Sequence, residues 1–202
     1  FLRLPMLVLV STLRRLGAEV PPAYILSRYQ NWLLARILRA SRDEVEQAYK
    51  IFTERNDPWN KARCQMRLIE IDLLFDKLKP AVAMAERLLD DTANEDSYRR
   101  ARVAVTVARA FAADKQYQRA EELAKNALAV FQAVDDGRWE ARTQTMLGRM
   151  ALDQGQSDQA LNAFEHGLER ARSIGSILGR ERLLYELRAW RRQSINYPPV
   201  ID

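Results

Sequence analysis

Arginine recurs at a fixed spacing in this chain. Arg102 and Arg142 stand forty residues apart, Arg109 and Arg149 likewise, and Arg63 and Arg182 extend the first series in both directions. A guanidinium is planar, always charged, and can take a carboxylate through two parallel N–H bonds, so a row of them on one surface would suit an acidic ligand. Residues able to do covalent or acid–base chemistry are sparse. His166 is the single histidine and Cys64 the single cysteine, which excludes an intrachain disulfide, a CxxC metal site and a His-rich metal centre. His166 lies between Phe164 and Leu168 and reads as structural or solvent-edge, while Cys64, among Arg63, Met66 and Leu68, reads as a small buried hydrophobe. Gly175 and Gly179 lack the preceding strand and the following Lys-Ser/Thr of a phosphate loop. The acid pairs Asp90-Asp91 and Asp135-Asp136 read as solvated connectors, and Trp32, Trp139 and Trp190 as core or groove edge. No catalytic residue, cofactor or metal ligand is expected, and the chain does not read as an enzyme.

The elements that must position these arginines follow from composition. The chain has 202 residues, 48% hydrophobic and 29% charged, with only 7 Gly and 7 Pro. That is too little turn chemistry for a sandwich or barrel and suits long helices. The formal charge is +5, and its excess lies at the ends: residues 1–40 carry six Arg against the single acid Glu19. Dense Lys/Arg runs are missing apart from pairs such as Arg14-Arg15 and Arg191-Arg192, which disfavours a nucleic-acid partner.

A forty-residue period organises the middle of the chain. Six positions are identical at that offset: Ala101/Ala141, Arg102/Arg142, Arg109/Arg149, Gln116/Gln156, Ala120/Ala160 and Leu128/Leu168. At an offset of 39 upstream, Arg63, Leu68, Leu78, Ala81, Ala85 and Leu89 fall on the same places, and downstream Arg182 and Leu187 repeat Arg142 and Leu147. Self-similarity of this length marks stacked supersecondary units, each unable to bury its apolar face alone. The expected elements are antiparallel helix pairs broken at Pro21-Pro22, Asn56-Asp57-Pro58, Lys79-Pro80, Asn94, Asp136-Gly137, Gly155 and Gly175 to Gly179. Asp57 is expected to cap a helix that opens with Pro58, and Gly155 to end a helix in the left-handed conformation.

The organisation that follows has four parts. Residues 1–56 form N-terminal helices with an apolar start and a divergent or capping repeat, including a pair over Tyr24 to Ala40 and Asp43 to Glu54. Residues 57–174 are the repeats, 175–194 a C-terminal capping helix in which Arg188 replaces the small Gly148, and 195–202 a linker. The apolar run Leu4 to Val10 reads as a packed cap, or as a segment following a membrane span with Arg14 and Arg15 marking its cytoplasmic side. The chain reads as a fragment of a larger, bacterial protein.

The run Leu147-Gly148, Gly155, Ala160, Phe164, Gly167-Leu168 resembles the tetratricopeptide signature, and Val107-Ala108, Phe111, Tyr117, Ala120, Ala127-Leu128 is similar. Ala104 and Gln144 stand where an early aromatic is expected, and the longer period implies longer helices than the family's usual repeat of about 34 residues. The resemblance implies an all-α, right-handed superhelical solenoid of antiparallel helix pairs. It further implies a concave groove lined by Arg63, Arg102, Thr106, Arg109, Arg142, Thr145, Arg149 and Arg182, with Arg102, Arg109, Arg142 and Arg149 removable together at little cost to stability; the alternative is that the arginines are solvated surface residues paired with acids one turn away on their own helices. The expected function is that of a protein–protein interaction scaffold binding another protein or an acidic peptide segment, cytoplasmic or at the inner face of a membrane. Its setting would be a membrane-associated assembly of the secretion or exopolysaccharide-export type. The alternative is a ligand- or peptide-sensing helical domain of a transcription regulator.

Overall fold

A computed structural model of the chain describes residues 41–195, and every regular element among them is an α-helix. After α1 over 41–54 come α2 (Pro58–Leu74), α3 (Leu78–Asp91), α4 (Ser97–Ala113), α5 (Tyr117–Ala133), α6 (Gly137–Asp153), α7 (Ser157–Ser173) and α8 (Ile177–Ile195). The expectations for Leu4 to Val10, Arg14-Arg15, Pro21-Pro22, Trp32, the helix over Tyr24 to Ala40 and, beyond Ile195, the linker expected over 195–202 lie outside the described residues; Ile195 itself closes α8. Among those described, no helix is long and apolar enough to cross a membrane.

The period has a simple local origin. Helices α4 to α7 are each 17 residues long and are joined by three-residue turns. Most turns close in the same way, with a left-handed residue followed by one whose amide reaches back to the preceding helix: Lys115 then Gln116 N–H to Phe111 O at 2.9 Å, and Gly155 then Gln156 N–H to Ala151 O at 2.8 Å. This is the hydrogen bonding of a Schellman cap, which satisfies carbonyls the helix end would leave orphaned. Helix α3 is shorter, 14 residues, and a longer connection through Asn94 follows it, giving the offset of 39. Asp57, Asp96 and Asp136 cap α2, α4 and α6, each carboxylate accepting from the amide three residues on at 3.0, 2.8 and 3.1 Å. Helices α3, α5 and α7 have no side-chain cap.

The expected register of small and large residues holds, with one exchange between repeats. Phe111 on α4 shares a core with Ala124 on α5, whereas forty residues later Ala151 stands on α6 and Phe164 on α7. Both rings are fully buried, and at this matched pair of positions the ring comes from the first helix in one repeat and from the second in the next. In the preceding repeat the place of Phe111 is taken by Asp72, 1% exposed, whose carboxylate pairs with Arg42 Nη1 on α1. Ala81, Ala85, Ala120, Ala124 and Ala160 are each 0% exposed, which lets paired helices approach closely. The core falls into two clusters, one from α2 to α6 including Met146 and Met150, the other joining Ala141 and Ala151 of α6 to α7 and α8.

Sequential helices pack on one another, and α2, α4, α6 and α8 also touch in series, while α3, α5 and α7 do not touch one another. The even-numbered helices therefore form the tighter, inner row of a right-handed superhelical solenoid, and the odd-numbered α3, α5 and α7 its outer row. Arg102, Arg109, Arg142 and Arg149 all belong to the inner row.

Candidate partner-binding groove

The N-terminal turns of the inner helices carry an alternating set of rings and guanidinium groups. Pro58 and the Asp57 cap start α2 so that Trp59 stands in its first turn, and Asp96 and Asp136 place Tyr98 and Trp139 at the starts of α4 and α6. The ring of Trp139 is fixed by stacking on buried Phe131, centroids 5.5 Å apart at 21°. Tyr98 meets the same Phe131 edge-on, 5.9 Å away at 84°. Its hydroxyl donates to Asp136 at 2.7 Å, and that bond, followed by burial, raises the phenol's pKa above its ordinary value.

Arg102 lies on the middle helix with a ring from each flanking inner helix. Its guanidinium carbon is 5.3 Å from the centroid of Trp59 and 5.3 Å from that of Trp139. Arg99 continues the arrangement over Trp59 at 5.0 Å, and Arg142 over Trp139 at 4.8 Å. Ring faces attract cations, by about 0.5–2 kcal/mol depending on exposure. Arg99 also pairs with Glu95 at 2.8 Å and Asp96 at 3.2 Å, and Arg142 with Glu70, which leaves Arg102 as the member of the stack held by ring faces alone. Arg102 has no carboxylate partner among the described residues, and its Nε is buried without an acceptor.

Two helical turns further along, at Arg109 and Arg149, the charges are paired. Glu70 of α2 takes Arg109 Nη1 at 2.8 Å and Arg142 Nη2 on the same oxygen, and Arg67 Nη1 at 2.8 Å on the other. Arg149 donates through Nε to Glu186 of α8 at 2.9 Å, and Glu186 is buried. Arg63 is exposed and bonds Asn60 at 2.8 Å.

The arginines expected to recur on one face are thus placed on the inner row, but most are not free surface charges. Removing Arg149 would strand buried Glu186, and removing Arg109 and Arg142 would leave Glu70 with Arg67 alone, so removing the four together carries a stability cost, set chiefly by Glu186. Thr106 and Thr145 are 0% and 5% exposed and present nothing to a partner. Thr145 Oγ1 donates to Ala141 O at 2.7 Å, and Thr106 Oγ1 has no hydrogen-bond partner. Residue 182 falls in α8, and its side chain lies outside what the structure describes. Spacing alone missed Glu70, Glu186, Trp59 and Tyr98. Glu70 did leave a signal, since it occupies the repeat position that Arg109 and Arg149 fill later.

Outside the groove, His166 is exposed and Cys64 buried, with desolvation pushing its thiol pKa up and away from the reactive range. Asp135 and Asp136 are more than connectors: Asp136 caps α6, Asp135 in the turn before it pairs with Arg170 of α7, and Arg170 Nε also donates to Glu140 of α6 at 3.0 Å. No group of side chains able to hold a metal ion occurs among the described residues.

The tetratricopeptide repeat family model matches residues 99–173. Among solved structures the chain is similar to BtubC (BKLC) from P. vanneervenii, with a TM-score of 0.53 at 18% identity, covering 96% of this chain and 91% of that one. It is also similar to a Podospora anserina putative kinesin light chain with nearly identical TPR-like repeats, TM-score 0.53 at 17% identity, covering 88% and 99% of the two chains. At these identities the likeness is one of fold. No curated protein matches the chain by sequence. The class that the fold defines is that of helical repeat proteins, and within it residues 99–173 match the tetratricopeptide repeat, with repeats that run longer than usual.

Proposed function

We propose that the concave row binds an acidic segment of another protein, with Arg102 taking the first carboxylate and Arg63, Arg99 and Arg142 lying along the same row. The observation that carries this reading is the state of Arg102: a half-buried cation balanced only by ring faces, with a buried N–H that has no acceptor. With no carboxylate of its own, the Arg102 guanidinium can take an arriving one through charge-assisted N–H bonds, which are stronger than neutral ones. The role is that of a non-catalytic scaffold in the cytoplasm. Its placement in a membrane-associated assembly is supported by Leu4 to Val10 and Arg14-Arg15.

The test is titration of a fluorescein-labelled hexa-glutamate peptide, followed by anisotropy. Arg102→Gln keeps the packing of the stem and removes the charge. It should weaken binding at least tenfold, the equivalent of about 1.4 kcal/mol, with melting temperature held. Wild-type affinity in that variant, or no binding by the parent chain, would sink the reading.

A further inference from the structure

Glu70 and Arg142 lie 72 positions apart on α2 and α6, two helices that do not pack on each other, and their ion pair crosses the inner face of α4. The same Glu70 oxygen holds Arg109, on α4 itself. Two guanidinium groups from adjacent inner helices thus converge on a single carboxylate that the chain supplies from a third. We infer that Glu70 is an internal stand-in for a carboxylate of the partner, and that the Arg109–Arg142 pair is a second, gated acid-binding position beyond the open one at Arg102. This rests on the acidic-partner reading above and adds its regulation.

The argument is steric and electrostatic. A guanidinium fork and a carboxylate match through parallel N–H bonds, and a partner carboxylate seeking Arg109 and Arg142 together needs the place that Glu70 fills. Glu70 need not be stranded when it leaves. Its other oxygen already accepts from Arg67 at 2.8 Å on its own helix, and Arg67 is exposed, so Glu70 can retreat to that partner at the surface. Displacement also cuts the tie between α2 and α6 that spans α4, so the inner row is free to widen as the second acid enters. A ligand with one carboxylate meets only Arg102, while one with several in succession can displace Glu70. The gate therefore selects for acidic runs over single acids.

Glu70→Gln removes the competing charge and leaves the length of the side chain. With the labelled hexa-glutamate peptide its affinity should rise about three- to tenfold over the parent chain. A peptide of alanines with one central glutamate should bind both proteins equally. Unchanged or weaker hexa-glutamate binding by Glu70→Gln, with the parent chain binding, overturns the gate and leaves the acidic-partner reading standing. Binding by neither protein removes both. Should Glu70→Gln fail to fold, Glu70→Asp, too short to reach Arg109 and Arg142 together, is read instead with the same signs.

Discussion

Gly148 lies under the ring of Phe164: a β-carbon at that position would stand 2.5 Å from Cε1 and 2.6 Å from Cδ1 of the ring. The ring is fully buried and cannot swing into solvent, so α6 approaches α7 only because residue 148 has no side chain. The equivalent Ala108 of the previous repeat is tolerated because Ala124, not a phenylalanine, stands opposite on α5.

Gly148→Ala should accordingly destabilise the chain by about 1–3 kcal/mol through overpacking, even though alanine is the better helix former. Combining it with Phe164→Leu should recover part of that loss, since the two positions are in contact and their effects will not add. Denaturant melts of the four proteins measure the coupling; strict additivity would show that the ring and the glycine are independent.

Thr106 offers a change of opposite sign. Its side chain is fully buried in α4 and its hydroxyl has no partner. Thr106→Val removes the unmet polar group at constant shape and should stabilise by about 1 kcal/mol. A lower urea midpoint in the variant would mean that the hydroxyl is satisfied.

The cap of α2 should leave a mark on the acid limb of stability. Asn60 donates to Asp57 through its side chain at 2.7 Å and its backbone at 3.0 Å, and these bonds hold the carboxyl pKa below its ordinary value. A group whose folded pKa is lowered contributes stability that is complete above the unfolded value, about 3.9, and is lost as pH falls through the lower folded value. Asp57→Asn keeps a capping oxygen that does not titrate. The stability difference between parent and variant should therefore be constant near neutrality and shift toward the variant below about pH 4. Parallel melting curves down to pH 2 would show that Asp57 does not contribute to the acid transition.

The period, the turns and the class of fold were legible because they depend on local chemistry repeated in register: Gly155 in its left-handed turn, Asp57 before Pro58, and alanines where helices meet. What stayed hidden depends on pairs. Counting identities at an offset of forty compares Phe111 with Ala151 and Ala124 with Phe164 and records two mismatches, whereas the structure has one conserved volume filled from alternate helices. The groove was legible in the same partial way. The arginine series could be read along the chain, but which carboxylates reach them could not, because the bonds from Glu70 to Arg109 and Arg142 join separate repeats and depend on how tightly the inner row curves.

The two core clusters meet only in α6, which gives Met146 and Met150 to one and Ala141 and Ala151 to the other. In a linear array each unit leans on its neighbours alone, so the last two helices are expected to open before the rings and charges around Arg102 lose their own support. Helix α6 is then the hinge between two cooperative blocks, and it is also the helix that carries Trp139 and Arg142. Whatever grips those two residues would bear on the coupling between the blocks, so that occupancy of the groove would be felt as mechanical continuity along the whole array.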